Sequence, residues 1–181
     1  VEVRVTTVGQ VLPHVEAKIV NPETGETVER GTEGEYCTRG FHVMNGYWND
    51  AEKTAEAIDA DGWMHSGDLA IMDDEGYVNI VGRIKDMIIR GGENVYPREI
   101  EDVLRDHPLI EDVAVVGETS EEWGERVVAY VVSAARFELE ALRESIEGRP
   151  APFKHPRQPH HIDALPRNAP GQLHKHRPPG R

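Results

Sequence analysis

Between Gly82 and Asp86 the chain sets three charged residues, Arg83, Lys85 and Asp86, between two apolar runs, and Gly91-Gly92 follow shortly after. Two kinds of chemistry fit such a stretch. A few residues at the end of an element can absorb a large change in φ and ψ and so act as a hinge. Paired glycines permit positive φ and let the backbone approach another surface or a ligand closely. An ordinary turn between two sheets has the same composition, and on the residues alone both readings stand. The tail is a second candidate. From Arg149 onward there are seven Lys/Arg against one acid, Asp163, and five of the nine His, although the net charge of the whole chain is −13. A solvated basic end and an anion site for phosphates both fit that asymmetry. His160, His161, His174 and His176 offer adventitious metal ligands. Cys37 is the single cysteine, which excludes an internal disulfide framework and a CxxC metal site. Its place in "GEYCTRG" reads as a small core residue in a strand.

The elements that must position these groups follow from periodicity and turn chemistry. Val15, Ala17 and Ile19 alternate with polar residues as in a half-buried strand, and Asn21-Pro22 and Thr24-Gly25 supply turns. Glu35 to Thr38 reads as a short strand. "NDAEKTAEAI" reads as a helix capped by Asn49 or Asp50, with Ala51, Thr54, Ala55 and Ile58 on one face. Leu69 to Met72 and Tyr77 to Val81 form a hairpin around Asp73-Asp74-Glu75-Gly76, which puts Asp68 at the mouth of its first strand. Met87 to Ile89 is a further strand. Pro97 opens a helix with Ile100, Val103 and Leu104 on its apolar face, and His107-Pro108 closes it. "IEDVAVVGE" and "ERVVAYVVSA" carry the near-continuous β-branched runs of strands buried on both faces. "FELEALRESIEG" is an amphipathic helix with a Gly148 stop, and "HHIDALP" hints at a last strand. Trp48, Trp63 and Trp123 are expected to pack rather than to touch a ligand. The fold expected is α+β, with a β-rich part over 1–82, a boundary at 83–86 and a small α+β domain over 87–181.

Composition bounds the function. Apolar content of 38% and charged content of 29% fit a globular protein. No run reaches the roughly 18 apolar residues of a membrane span, the start lacks the pattern of a signal peptide, and a cytoplasmic setting is expected. The negative net charge argues against nucleic acid as a partner.

Beyond this physical reading, "DGWMHSGDLAIMDDEGYVNIVGRIKDMIIRGGENVYPREIE" resembles the stretch that joins the two domains of the acyl-adenylate-forming (AMP-binding) enzymes. These are the acyl-CoA synthetases, the firefly luciferases and the adenylation domains of peptide synthetases. "GYWNDAEKTAEAI" and "HPLIEDVAVVG" fit the same family, so the resemblance covers nearly the whole chain. The "GGENVYP" form resembles fatty- and aryl-acid CoA ligases. The resemblance implies the C-terminal β-rich subdomain of the large domain followed by the small domain. It also implies a two-step reaction. A carboxylic acid and ATP give an acyl-adenylate and pyrophosphate, CoA then displaces AMP, and the small domain rotates between the steps. ATP/AMP, coenzyme A and Mg2+ serve the complete family enzyme, and none is expected to be held tightly here. By the same resemblance Asp68 accepts hydrogen bonds from the ribose hydroxyls and Arg83 contacts the ribose. Lys85 is the hinge residue, and Gly91 and Gly92 line the pantetheine tunnel. Phe153 and Arg157, in "FKHPRQ", meet the CoA nucleotide. A hairpin cap, a surface salt bridge and an exposed boundary lysine are the plainer alternatives for Asp68, Arg83 and Lys85.

The sequence departs from the family in two places. In "LPRNAPGQLHK" the family pattern Pro-Arg-x-x-x-Gly-Lys places Gln172 where a catalytic lysine stands, and an amide cannot supply a permanent cation to a transition state that gathers negative charge. Lys175 lies three residues on, roughly 10 Å along an extended chain. The Ser/Thr/Gly-rich phosphate loop, the acyl pocket and the Tyr-Gly-x-Thr-Glu segment are not in these 181 residues. The expectation is therefore the C-terminal portion of a fatty- or medium-chain acyl-CoA ligase that is inactive alone, with a separate N-terminal half as a possible partner. The alternatives are a non-catalytic nucleotide- and CoA-binding pseudoenzyme module and a peptide-synthetase adenylation fragment.

Overall fold

The computed structural model describes residues 7–133, 151–156, 158–167 and 169. The chain divides into two compact units, Val1–Lys85 and Asp86–Arg181.

The first unit is a five-stranded antiparallel sheet in the order β1-β5-β4-β3-β2. Its strands are β1 (Gly9–Gln10), β2 (Val15–Val20), β3 (Glu33–Gly40), β4 (Met64–Met72) and β5 (Tyr77–Arg83). Ile19, Ala70, Met72 and Val78 bury together with Tyr36 and Ile80 at their margin. This is the alternation that each strand's sequence carries, apolar on one face and polar on the other. Between β3 and β4 runs helix α1 (Ala51–Ala57), capped by Asp50, whose side chain accepts from the Lys53 amide. None of its residues is buried, so Ala51 and Ala55 do not form the packed face that their spacing predicts. Thr54 instead ties the preceding loop, its hydroxyl accepting from the Tyr47 amide at 2.9 Å.

The second unit is built on the long hairpin of β8 (Ile110–Ser120) and β9 (Gly124–Ser133). Along its other edge β9 pairs in parallel with β10 (Gln158–His161) and meets β6 (Ile88–Arg90), which pairs with β7 (Glu93–Val95). Both faces of the hairpin are covered, as the β-branched runs require. On one face Val113, Val115, Val127, Ala129 and Val131 pack on Ile100 and Leu104 of helix α2 (Pro97–Arg105). On the other, Ala114, Val116, Val128 and Tyr130 pack on Leu165 and Ile162. Pro97 starts α2 where a missing N–H costs nothing. Leu104 is fully buried, and Leu104→Ala would cost about 2–5 kcal/mol.

Four elements differ from expectation. The last strand is Gln158–His161, and the Ile162–Leu165 stretch beyond it is core packing rather than strand. The short strands β1 and β7 were not anticipated. Strand β4 begins at Met64, so Asp68 lies inside a nine-residue strand and not at its mouth. The helix read over residues 137–148 falls outside the described residues.

Candidate functional site

The position of Asp68 is set by irregular pairing on both sides of it. Between β3 and β4 the register passes from Glu35↔Leu69 to Cys37↔His65, so β4 spends two more residues than β3 there. The surplus is a bulge at Ser66-Gly67. Gly67 has φ 68°, a left-handed conformation that glycine adopts at no steric cost. The Ser66 hydroxyl accepts from the Asp68 amide at 3.0 Å. Between β4 and β5 the register passes from Leu69↔Gly82 to Ala70↔Ile80, so β5 carries one extra residue. Bulges bend a strand and re-aim its side chains. Here they flank two rungs, Asp68↔Arg83 and Leu69↔Gly82, and across the first of them Arg83 Nε lies 3.1 Å from Asp68 Oδ1. The Asp68 side chain is 29% exposed and that of Arg83 56%.

This rung pairs an acceptor-only carboxylate with a donor-only guanidinium on an accessible surface. That donor set fits the vicinal hydroxyls and ring oxygen of a ribose. It does not fit Mg2+, which requires several oxygen ligands and is repelled by the guanidinium. Lys85 is exposed in the short 3-10 turn Ile84–Asp86 that follows β5.

Gly91 and Gly92 form a two-residue hairpin loop, closed by the pair Arg90↔Glu93, with φ of 60° and 86°. Positive φ at both central positions is a type I′ turn, whose twist matches the strands it joins. An added Cβ at Gly91 would stand 3.0 Å from the Trp123 ring, whereas one at Gly92 would meet nothing within 4 Å. The Gly91 amide donates to the Trp123 carbonyl at 2.8 Å. The Arg90 guanidinium lies over the Trp123 ring, 4.9 Å from its centre, and donates to the Phe153 carbonyl. Arg90 thus ties the glycine hairpin to the segment carrying Phe153, whose own ring is exposed. Next to it Lys154 Nζ pairs with Glu99 Oε2 at 2.6 Å. Arg157, Gln172, Lys175, His174 and His176 lie outside the described residues, so the tail's anion and lysine readings have no geometry here.

The tryptophans do not behave alike. Trp63 lies under Lys18 and Arg39, at 4.2 and 4.6 Å, and Trp123 packs on Arg90. Trp48, by contrast, is 92% exposed, so the expectation that it packs is corrected.

Sequence reasoning passed over two further groups. Glu101, on α2, is 4% exposed. Its Oε1 accepts from the Val115 amide at 2.9 Å, and Arg105 Nη2 stands 3.6 Å from its other oxygen. It satisfies a backbone donor on the edge of β8 that is not paired with β9. The other group is Glu35, Cys37 and His65. The imidazole Nδ1 of His65 is 2.7 Å from Glu35 Oε2 and 3.4 Å from Cys37 Sγ. Burial, reinforced by the Glu35 charge, pushes the Cys37 thiol up to about 12. Only the i, i+2 spacing of Glu35 and Cys37 on one strand face was visible in sequence. His65 joins them through the register of the bulged pair.

Residues 1–48 match the AMP-binding enzyme family and residues 99–172 match the AMP-binding enzyme C-terminal domain. The chain is 47% identical over 176 residues to YngI of Bacillus subtilis, named as an acyl-CoA synthetase, covering 96% of this chain and 32% of that protein. It is 44% identical over 177 residues to the mitochondrial medium-chain acyl-CoA ligase ACSF2 of Bos taurus, covering 97% and 29%. The structure of o-succinylbenzoate CoA synthetase (MenE) from Bacillus subtilis in complex with the acyl-adenylate intermediate OSB-AMP superposes with a TM-score of 0.91 at 32% identity, over 98% of this chain and 36% of that one. The chain belongs to the acyl-adenylate-forming (AMP-binding) superfamily, and its fold is the α+β, β-rich one of these adenylating enzymes. It spans about a third of the length of the curated relatives it matches. No helix among the described residues is long and apolar enough to cross a membrane.

Proposed function

We propose that this chain provides the ribose-contacting strand pair, the hinge and the small domain of an acid–CoA ligase that joins a fatty or medium-chain acid to coenzyme A through an acyl-adenylate. The observation that carries the proposal is the Asp68–Arg83 rung, held between two bulges and open to solvent. In the proposed reaction Asp68 accepts from the ribose hydroxyls and Arg83 donates to the ribose, so the nucleotide is gripped by its sugar. Lys85 is the pivot, in a turn where the two compact units meet in sequence. The Gly91-Gly92 tip is the face past which the pantetheine arm travels, and Phe153 and Arg157 receive the CoA nucleotide. The relatives' names support the acid–CoA ligase class and a medium-chain acid. A reducing, cytoplasmic setting belongs to the same proposal.

A second reading is favoured by one residue. Gln172 stands where the family lysine is expected. On that reading the chain binds nucleotide and CoA without forming adenylate.

One chimaera separates the two. The N-terminal portion of a related ligase is fused ahead of this chain, and single-turnover rates are measured for adenylation and for thioester formation from supplied acyl-adenylate. Loss of one preorganised transition-state contact costs about 10²–10³ in rate. Adenylation should therefore be impaired by about that factor and recover in Gln172→Lys, with thioester formation much less affected. Equal adenylation by the Gln172 and Lys forms would show that the defect does not lie there. Loss of both half-reactions in both forms would remove the ligase reading.

A further inference from the structure

The Glu35, Cys37 and His65 group has no place in the ribose or CoA chemistry, yet its ligand atoms all lie within 4.8 Å of one another. Its construction is specific. Cys37 and His65 are opposite one another on β3 and β4, and the Ser66-Gly67 bulge brings the Glu35 carboxylate to the same imidazole nitrogen. The second Glu35 oxygen is occupied by the Gly67 amide at 3.0 Å, which fixes the carboxylate and turns Oε2 toward Nδ1. At the far side of the ring, Nε2 of His65 faces Asp59 Oδ2 at 3.8 Å. Asp59 is itself anchored, its other oxygen accepting from the amides of Trp63 and Asp61 at 2.8 and 3.0 Å. A histidine whose one nitrogen points at soft and hard donors, while the other points at an anchored carboxylate, has the outer-shell arrangement of metal-binding imidazoles.

We propose that Glu35 Oε2, Cys37 Sγ and His65 Nδ1 form a three-ligand site for a borderline-soft divalent cation of the zinc class, with Asp59 orienting the His65 ring. Thiolate, imidazole and carboxylate together select such an ion over magnesium or calcium. Two of the three separations are close to what it needs, and the third lies within 4.8 Å. Bonds of about 2.3 Å to sulfur and about 2.0 Å to nitrogen at a tetrahedral angle separate these two atoms by roughly 3.5 Å, against the 3.4 Å observed. The Nδ1–Oε2 contact, now a hydrogen bond of 2.7 Å, has to open by roughly 0.6 Å to reach the corresponding separation. On binding, the Cys37 S–H bond breaks and its proton leaves to solvent as the sulfur–metal bond forms. The proton that His65 Nδ1 shares with Glu35 in the hydrogen bond leaves that nitrogen as the nitrogen–metal bond forms, and the neutral ring keeps one proton, on Nε2 toward Asp59. Lys18, paired with Cys37 from β2 and held over Trp63, faces the group from the third strand. Its charge favours the thiolate and opposes the cation. The His65 side chain, 30% exposed, leaves an approach for the ion and a fourth position for water.

The test uses cobalt(II) and zinc(II) on the whole chain, first stripped with a chelator. Because Cys37 is the only cysteine, a thiolate-to-cobalt charge-transfer band can come from no other residue. The expected result is a saturable band at one equivalent, displaced by zinc(II) and absent from Cys37→Ser. Asp59→Asn, which keeps an acceptor oxygen for the two amides, should bind zinc(II) about 10–100-fold more weakly. Zinc(II) should also slow alkylation of Cys37 in the unaltered chain, a measurement that does not depend on how the variants fold. Cobalt binding without the band, or with affinity unchanged in Cys37→Ser, places the ion on the tail histidines and overturns the proposal, as does unprotected alkylation. None of these readouts involves ligase activity, so the result stands apart from the proposed reaction.

Discussion

Asp68 and Arg83 face one another across β4 and β5 and pair at 3.1 Å. The two residues proposed to hold a ribose therefore hold each other. Both are substantially exposed, so the pair is screened and contributes under about 1 kcal/mol to stability. A ribose would have to replace one surface ion pair with hydroxyl contacts to the same groups.

That relationship separates stability from binding. Asp68→Ala and Arg83→Ala should each change stability by less than about 1 kcal/mol, read from urea denaturation of this chain. In the completed chimaera, each should raise the ATP concentration needed for half-maximal adenylation. A large loss of stability would mean that the rung is structural rather than poised for a ligand.

The two hairpin glycines should not be equivalent. Alanine at either position must take a positive φ, which typically costs about 1 kcal/mol. Only Gly91→Ala adds a methyl 3.0 Å from the Trp123 ring. Gly91→Ala should therefore destabilise more than Gly92→Ala and should also shift Trp123 fluorescence. Equal melting temperatures for the two variants would show that Trp123 moves aside freely.

Glu101→Ala should leave the Val115 amide without its acceptor, at about 1–3 kcal/mol, and should accelerate hydrogen exchange at that amide. Glu101→Gln retains an acceptor oxygen and should lose less. Exchange at Val115 that is unchanged in Glu101→Ala would remove the carboxylate from this role.

Cys37 gives the folded state a pH dependence on the alkaline side. Its thiol is raised from an ordinary value of 9.0 to about 12 by burial. The unfolded chain thus ionises first and binds fewer protons between these values. The contribution is complete below about pH 9 and is lost as pH rises through about 12. Cys37→Ala should flatten this part of the curve of stability against pH, measured by denaturant midpoints at successive pH values.

The sequence made β8 and β9 plain, because Val113–Val116 and Val127–Val131 are Val-rich runs that must be buried on both faces. Pro97 and the spacing of Ile100 and Leu104 made α2 equally plain. The first half of β4 was not legible. Ser66-Gly67 has the composition of a break, and only pairing with β3 turns it into a bulge inside a strand. Strand β7 is three residues long, too short for any period to show, and the glycines before it left a turn and ligand access equally open. The contacts of Glu101 and the meeting of Cys37 with His65 depend on register and tertiary packing, which no local pattern encodes. The Asp68–Arg83 pairing is of the same kind. Their motifs were visible, but not that they stand on one rung.

The type I′ turn at Gly91-Gly92 also carries information about handedness. Both residues occupy backbone conformations that are the mirror image of those an ordinary L-residue prefers, so this hairpin is locally a piece of D-polypeptide that glycine, being achiral, can imitate. A D-alanine introduced at position 92 by chemical ligation would be at rest where L-alanine is strained, and would leave fewer states open to the unfolded chain than glycine does. The tip of the hairpin is thus a place where a single residue of D configuration is expected to strengthen the fold.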